Sequence, residues 1–281
     1  MSESEIQPRA RMQPRLGSAD PPQARRWQQA SFTSAVQNRR GLNPSRATET
    51  QDMIKFFYNL APNPMKVALF LEEVGLPYEP VPVDTRKGEQ HLPAYTKINP
   101  NAKCPALVDG DAIVFDSNAI LLYLAEKTGQ LLPANTLAAR GEMLSWLMFV
   151  ATGIGPYSGQ CVHFRHFAPE PKAYALNRYD FEAWRHWRLI DERLATRSFM
   201  LGDAYTLVDI ALWGWARMVP FVLGNQEAWA QLPHLKRWFD TVSQRPAAQR
   251  AEALKQRHAF KAEMDDAARQ ALFPQNARLA G

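Results

Sequence analysis

The sequence is poor in cysteine. Cys104 and Cys161 are the only two in 281 residues, too few for a disulfide framework and too far apart for a CxxC redox or metal motif. That scarcity fits a reducing compartment, so a cytoplasmic protein is expected. Long apolar runs are missing too. The longest charge-free one, Met143 to Ala151, contains Ser145 and is about half of what a membrane-spanning helix needs. The chain is therefore expected to be soluble, with no membrane partner, and no secretory hydrophobic region opens it. Lysine is absent from residues 1–52, which hold eight Arg and five acids, a net +3 of the chain's +5. The rest carries an ordinary balance, which excludes a strongly basic folded part. No nucleic-acid partner is expected, because such a surface needs Lys and Arg clustered on one face.

What is present is 46% apolar, ample for a sizeable core. Residues 1–52, rich in Gln, Arg, Ser and Pro, cannot bury enough surface to offset the entropy of ordering. They read as a disordered extension: a flexible arm, an organelle transit peptide, or residues upstream of a true start at Met53. From Met53 the pattern becomes regular. Met53 to Tyr58 reads as a strand, Asn63 as an N-cap with Pro64 at N1, and Gly75 as the stop of the helix that follows. Tyr78 to Val83 is a second strand and completes a βαβ unit. Gln90 to Lys97 is a short irregular helix. Pro105 to Val108 and Ala112 to Phe115 then form a hairpin about an Asp109-Gly110 turn, and a helix starts at Ser117. This gives an α/β region over 53–128 and a linker over 129–135, where Gly129 and Pro133 stop the helix. Over 136–281 the spacing is helical, in Leu137 to Val150, Ala173 to Ala195, Leu207 to Val219, Pro233 to Gln244 and Ala247 to Ala267. Thr206 and Asp209 form a carboxylate variant of the capping box.

The stretch Lys103-Cys-Pro-Ala-Leu-Val-Asp-Gly-Asp-Ala-Ile-Val-Phe-Asp-Ser117 sets an X-Pro bond, a tight turn and an acid-serine pair close together. A cis Cys104-Pro105 bond would leave the Cys104 backbone free to pair with an extended peptide. Ser117, at a helix N-terminus, suits a carboxylate, and Asp116 an ammonium. Together they would hold a short peptide by its backbone and by an amino-acid head group.

These strings, with Ala119-Ile-Leu-Leu-Tyr-Leu-Ala-Glu-Lys-Thr-Gly129 and Tyr205-Thr-Leu-Val-Asp-Ile210, resemble the cytosolic glutathione transferases from residue 53 to about 250. Ala61-Pro-Asn-Pro-Met-Lys66, Lys87-Gly-Glu-Gln90, Gly153 to Phe164 and Ala175-Leu-Asn-Arg-Tyr179 are similar to the nu class, glutathione-dependent disulfide reductases. The resemblance implies a thioredoxin-like N-terminal domain followed by an all-helical one, in a homodimer. It implies glutathione as substrate, no metal, and a small disulfide or electrophile as co-substrate. By the same resemblance, Gln90 binds the glycine end, Lys103 adds a carboxylate contact, and the Cys104 main chain pairs with the cysteinyl unit. Asp116 and Ser117 take the γ-glutamyl head, Asn63 hydrogen-bonds the sulfur, and Arg178 reaches in from the helical domain. The sequence departs from the nu pattern at Ala61, where a hydroxyl residue is typical, and at Cys161, where Asn is.

A plain N-cap remains open for Asn63 and a solvated charge for Arg178. The Cys104 side chain reads as a small apolar residue, and Cys161 as either buried packing or a site of mixed-disulfide formation. His163 and His166 share a face but have no third ligand. Tyr58, in a strand next to the site, could activate sulfur as in other transferase classes but reads first as core packing; the tryptophans at 184, 187, 213 and 215 read as core or interface aromatics. A non-catalytic binding or regulatory protein on the same fold stands as the alternative to an enzyme.

Overall fold

The computed structural model describes residues 53–279, so the expectations for residues 1–52 lie outside the described residues. Strand β1 (Ile54–Tyr58) alternates buried Ile54, Phe56 and Tyr58 with more exposed positions, the two-residue period of a strand facing one core. Helix α1 (Pro62–Val74) follows and ends at Gly75, which takes the left-handed conformation at φ 68°, as an αL cap demands. β2 (Tyr78–Pro82) runs parallel to β1. A 3₁₀ turn at Glu89–His91 and the short α2 (Pro93–Thr96) lead to β3 (Ala106–Asp109) and β4 (Ala112–Phe115). The sheet order is β2-β1-β3-β4, with β3 antiparallel to both of its neighbours. α3 (Ser117–Thr128) closes this part, again on a left-handed glycine, Gly129.

The remaining described elements are helical: α4 (Leu137–Phe149), α5 (Gly155–Val162), α6 (Ala173–Leu194), α7 (Leu207–Ala216), α8 (Val219–Leu223), α9 (Pro233–Ser243), α10 (Pro246–Ala253) and α11 (Asp266–Leu272). None is long and apolar enough to cross a membrane. At the start of α7 the expected box is present, with the Thr206 side chain accepting the Val208 N–H and Asp209 accepting the Thr206 N–H. Asp209 also accepts from the Met200 N–H and the Trp238 indole, at 2.8 and 2.9 Å. A local capping carboxylate thereby ties α7 to α9.

Four local expectations are corrected. α1 begins two residues early: Ala61 is the N-cap and Pro62 occupies N1, because Asn59 Oδ1 takes the Ala61 N–H at 3.0 Å and closes the turn there. Asn63 and Pro64 are therefore N2 and N3. The hairpin loop is Gly110-Asp111, since Asp109 pairs with Ala112. α4 continues through i→i+5 turns at Val150–Ile154 and His163–Phe167, either side of α5. The helix expected over 247–267 breaks after Ala253, and residues 257–265 run irregularly before α11.

α1 is the hub. It packs on β1, α3, α7 and α10, and Met65 and Val67 through Leu71 are fully buried. Against α7 the approach is at backbone distance. A Cβ on Gly214 would stand 2.4 Å from the Pro62 carbonyl oxygen and 2.5 Å from Lys66 Cγ. Gly214→Val should therefore cost about 1–3 kcal/mol through overpacking and lower the urea midpoint. Gly141→Ala, with nothing within 4 Å of the added methyl, should add about 0.5–1 kcal/mol of stability and raise the midpoint. Equal midpoints for the two variants would show that the α1–α7 contact yields freely.

Candidate active site at the start of α1

The first turn of α1 is short of donors. Pro62 and Pro64 at N1 and N3 have no N–H, and the Ala61 N–H is already bonded to Asn59. Asn63 alone among the first three helical positions keeps a main-chain N–H. Its side chain is fixed from the helical half, where Trp215 Nε1–H donates to Asn63 Oδ1 at 3.0 Å. An indole N–H only donates, so the amide orientation is determined, and Asn63 Nδ2 becomes a donor with no acceptor among the described residues. Gly155 lets the indole in, since a Cβ there would lie 3.3 Å from Trp215 Nε1.

Beside this turn lies a cavity of about 570 Å³. Its walls come from Asn59 to Pro62, from the 84–86 loop, from Gly159 and Val162 of α5, and from Trp215, Met218 and Phe221. The irregular segment after α10 forms the remaining wall with Phe260, Lys261 and Met264, and Leu272 of α11 completes it. Specific polar contacts hold that segment down. The Lys261 N–H donates to Asp84 Oδ2 at 2.7 Å, and Arg86 Nη1 donates to the Lys261 and Ala262 carbonyls at 3.0 and 2.7 Å. Tyr58 Oη meets His258 Nδ1 at 2.9 Å. Tyr58 is fully buried, and burial raises its pKa.

The other predicted residues lie in the loop before β3, at the start of α3, in the 3₁₀ turn at Glu89–His91 and on α6. The Cys104-Pro105 peptide is cis, and Tyr95 Oη and Asn99 Nδ2 both donate to the carbonyl of exposed Lys103 at 2.6 Å. Burial drives the Cys104 thiol up to about 11. Cys161 is fully buried, donates to the Val222 carbonyl at 3.2 Å, and is also raised by burial. Asp116 is the N-cap of α3, at φ 70°, its Oδ1 taking the Asn118 and Ala119 N–H groups at 2.9 and 3.2 Å. Ser117 is buried beside it. Gln90 is buried with its amide engaged: Nε2 donates to the Ala271 carbonyl of α11 at 3.0 Å, while Oε1 has no partner. Arg178 is exposed on α6, pairs with Glu182 at 2.8 Å, and does not line the cavity. Among the described residues no group of three or more His, Cys, Asp or Glu is placed to hold a metal.

Sequence reasoning missed Trp215, Lys66 and the segment after α10. The spacing Gly153-x-Gly155 marks a close helix approach, but nothing local identifies the indole that uses it.

Comparison with known proteins shows the family. The chain matches the family descriptions "Glutathione S-transferase, N-terminal domain" over residues 53–126 and "Glutathione S-transferase, C-terminal domain" over 169–246. It is 38% identical over 213 residues to the disulfide-bond oxidoreductase YfcG of Escherichia coli, covering 71% of this chain and 94% of that one. To the E. coli disulfide-bond oxidoreductase YghU it is 38% identical over 206 residues, covering 67% and 70%. Among solved structures, a glutathione transferase family member of Pseudomonas fluorescens with two glutathione bound aligns with TM-score 0.68 at 36% identity, over 72% of this chain and 93% of that one. A glutathione transferase of Pseudomonas putida with one glutathione disulfide bound per subunit aligns with TM-score 0.66 at 32% identity, over 73% and 92%. With the thioredoxin-like sheet, the helical half behind it and the Asn63 turn between them, the chain belongs to the glutathione S-transferase family.

Proposed function

We propose that this protein uses glutathione to reduce small disulfides and, more weakly, adds it to electrophiles. The observation that carries this reading is the donor set at α1: Asn63 keeps an unbonded main-chain N–H and an Nδ2 whose identity is determined by the Trp215 indole, while both protein thiols are held protonated by burial. The sulfur to be ionised is then the ligand's. A free thiol has a pKa of about 8.5, and lowering it by about two units takes roughly 2.7 kcal/mol. One charge-assisted hydrogen bond of about 1.5–3 kcal/mol and a helix N-terminus worth about 0.3–1 kcal/mol meet that need.

In the reaction, the glutathione thiolate attacks one sulfur of the disulfide. A mixed disulfide forms, and the other sulfur leaves as a thiolate that takes up a proton. A second glutathione thiolate attacks the mixed disulfide at the glutathione sulfur, giving glutathione disulfide and the second reduced thiol. The apolar cavity beside Ala61 and Trp215 is the place for the co-substrate.

For the tripeptide, the Cys104 main chain would pair with the cysteinyl unit, Asp116 and Ser117 would take the γ-glutamyl head, and Lys103 would support a carboxylate. Gln90 would meet the glycine carboxylate by exchanging its present acceptor, the Ala271 carbonyl. Arg178 would contribute only by giving up Glu182. The assembly is a homodimer in a cytoplasmic setting. In support of it, edge strand β4 exposes Ile113 and Phe115, at 53% and 42%, and α6 exposes Phe181 at 62%.

The second reading, a binding or regulatory protein without turnover, draws on Ala61, which gives α1 no side-chain cap. An assay of glutathione with 2-hydroxyethyl disulfide separates the two; binding without turnover would favour the second. Asn63→Ala should shift the pH midpoint of kcat/KM upward by about one to two units. Trp215→Phe, which frees the amide to rotate, should cost several-fold in the same direction. An unchanged profile in Asn63→Ala would mean that the sulfur is activated elsewhere. The double variant Cys104→Ala/Cys161→Ala should keep most of the activity in the same assay; complete loss would assign a step to a protein thiol.

A further inference from the structure

Lys66 lies on the second turn of α1 with only 1% of its surface exposed, a rare state for a lysine without a carboxylate partner. Its Nζ reaches two neutral oxygens at the start of α3, Ser117 Oγ at 3.3 Å and Asn118 Oδ1 at 3.5 Å. Asp116, the nearby acid, spends Oδ1 on capping α3. The other elements packed against α1 bring Lys66 no counter-charge. α7 sets Gly214 against its Cγ, and Asp209 of α7 is bonded to Met200, Thr206 and Trp238. Around α10, Arg245 and Arg250 pair with Glu73 and Glu72, and Glu252 pairs with Arg217. On β1, Tyr58 bonds to His258 and Lys55 is exposed.

The polarity of this small network is determined by chemistry. An ammonium group only donates, so beside a charged Lys66 the Ser117 oxygen accepts, and the hydroxyl hydrogen must turn away. It finds no acceptor among the described residues. An uncharged amine has a lone pair that can accept that hydrogen, which turns it inward. We propose that Lys66 is a positioning residue for glutathione: charged, it turns the Ser117 hydroxyl outward to the γ-glutamyl carboxylate, and the arriving carboxylate in turn favours its charge. The inference rests on the γ-glutamyl head lying at α3, as proposed above. Burial lowers the Lys66 pKa to about 7, with Asp116 pulling it back up. In the free protein the charge is therefore partly absent at neutral pH. Bound anion raises the pKa, so above about pH 7 binding takes up a proton, and affinity falls as pH rises through the liganded pKa.

S-methylglutathione tests this cleanly, because it carries the head group without a titrating thiol. Calorimetry on the full chain at pH 7.5, in phosphate and in Tris, should give binding enthalpies that differ by the buffer's ionisation heat times an uptake of between about half and one proton per site. Lys66→Arg, permanently charged, should bind without uptake, and Lys66→Met should bind about tenfold more weakly, also without uptake. In the wild type, with ¹³C-labelled lysine, one Cε resonance should titrate near neutrality and move above pH 8 on saturation, a readout that needs no variant. Equal enthalpies in the two buffers, no lysine titrating near neutrality, or uptake that persists in Lys66→Met would each overturn the inference alone. Absence of any binding heat in the wild type would instead sink the glutathione reading on which it rests.

Discussion

The close contact of α1 with α7 is the constraint on which the rest depends. Gly214 meets the Pro62 carbonyl and the Lys66 stem with no room for a methyl group, so the start of α1 has a single seat. From that seat three things follow. Asn63 comes within reach of the Trp215 indole. Lys66 is driven under α3 toward Ser117. The Asn59 to Pro62 turn becomes a wall of the apolar cavity. A shift of α1 by even about half an ångström would loosen all three, because packed interiors transmit strain rather than absorb it.

The same packing separates the thiols by environment. Low-dielectric surroundings penalise the thiolate, and for Cys104 and Cys161 nothing nearby outweighs that penalty. On the proposed reading the balance reverses at Asn63, where the main-chain N–H and Nδ2 have no acceptor among the described residues and the amide is already oriented by Trp215 before charge appears. On that reading the protein keeps its own sulfurs protonated while favouring an ionised foreign one. That division suits an enzyme whose reductant arrives with the substrate.

How much of this was legible depended on distance along the chain. The Thr206-Asp209 box, the stops at Gly75 and Gly129, and the Asp116-Ser117 start of α3 are local patterns, set by neighbours three or four residues away, and each could be read directly. Even locally, competing turn chemistry shifted boundaries: Asn59 captured the Ala61 N–H and opened α1 early. The contacts that complete the site are of another kind. Trp215 and Asn63 are 152 positions apart, and Lys66 and Ser117 are 51 apart. No periodicity encodes such pairs, and a tryptophan on an apolar helix reads as core whether or not its N–H has work to do. The segment after α10 was opaque for a related reason: residues 257–265 are held by side chains on the 84–86 loop, not by a helical repeat of their own.

Ala61 tests how complete this picture is, since a hydroxyl there is what the resemblance leads one to expect. Its loss removes a rotatable donor from the mouth of the cavity, but it leaves the backbone turn intact, because Asn59 rather than a side-chain cap holds the Ala61 N–H. What remains is the Asn63 amide, whose oxygen is already committed to an indole and whose nitrogen can therefore present only hydrogens. A free hydroxyl must give up rotational entropy to point at a thiolate, whereas this amide has been oriented by folding. On the proposed reading, the departure at Ala61 shifts the burden of thiol activation onto the contact between the two halves of the molecule, and Trp215, a residue of the helical half, would then take part in the chemistry of the other.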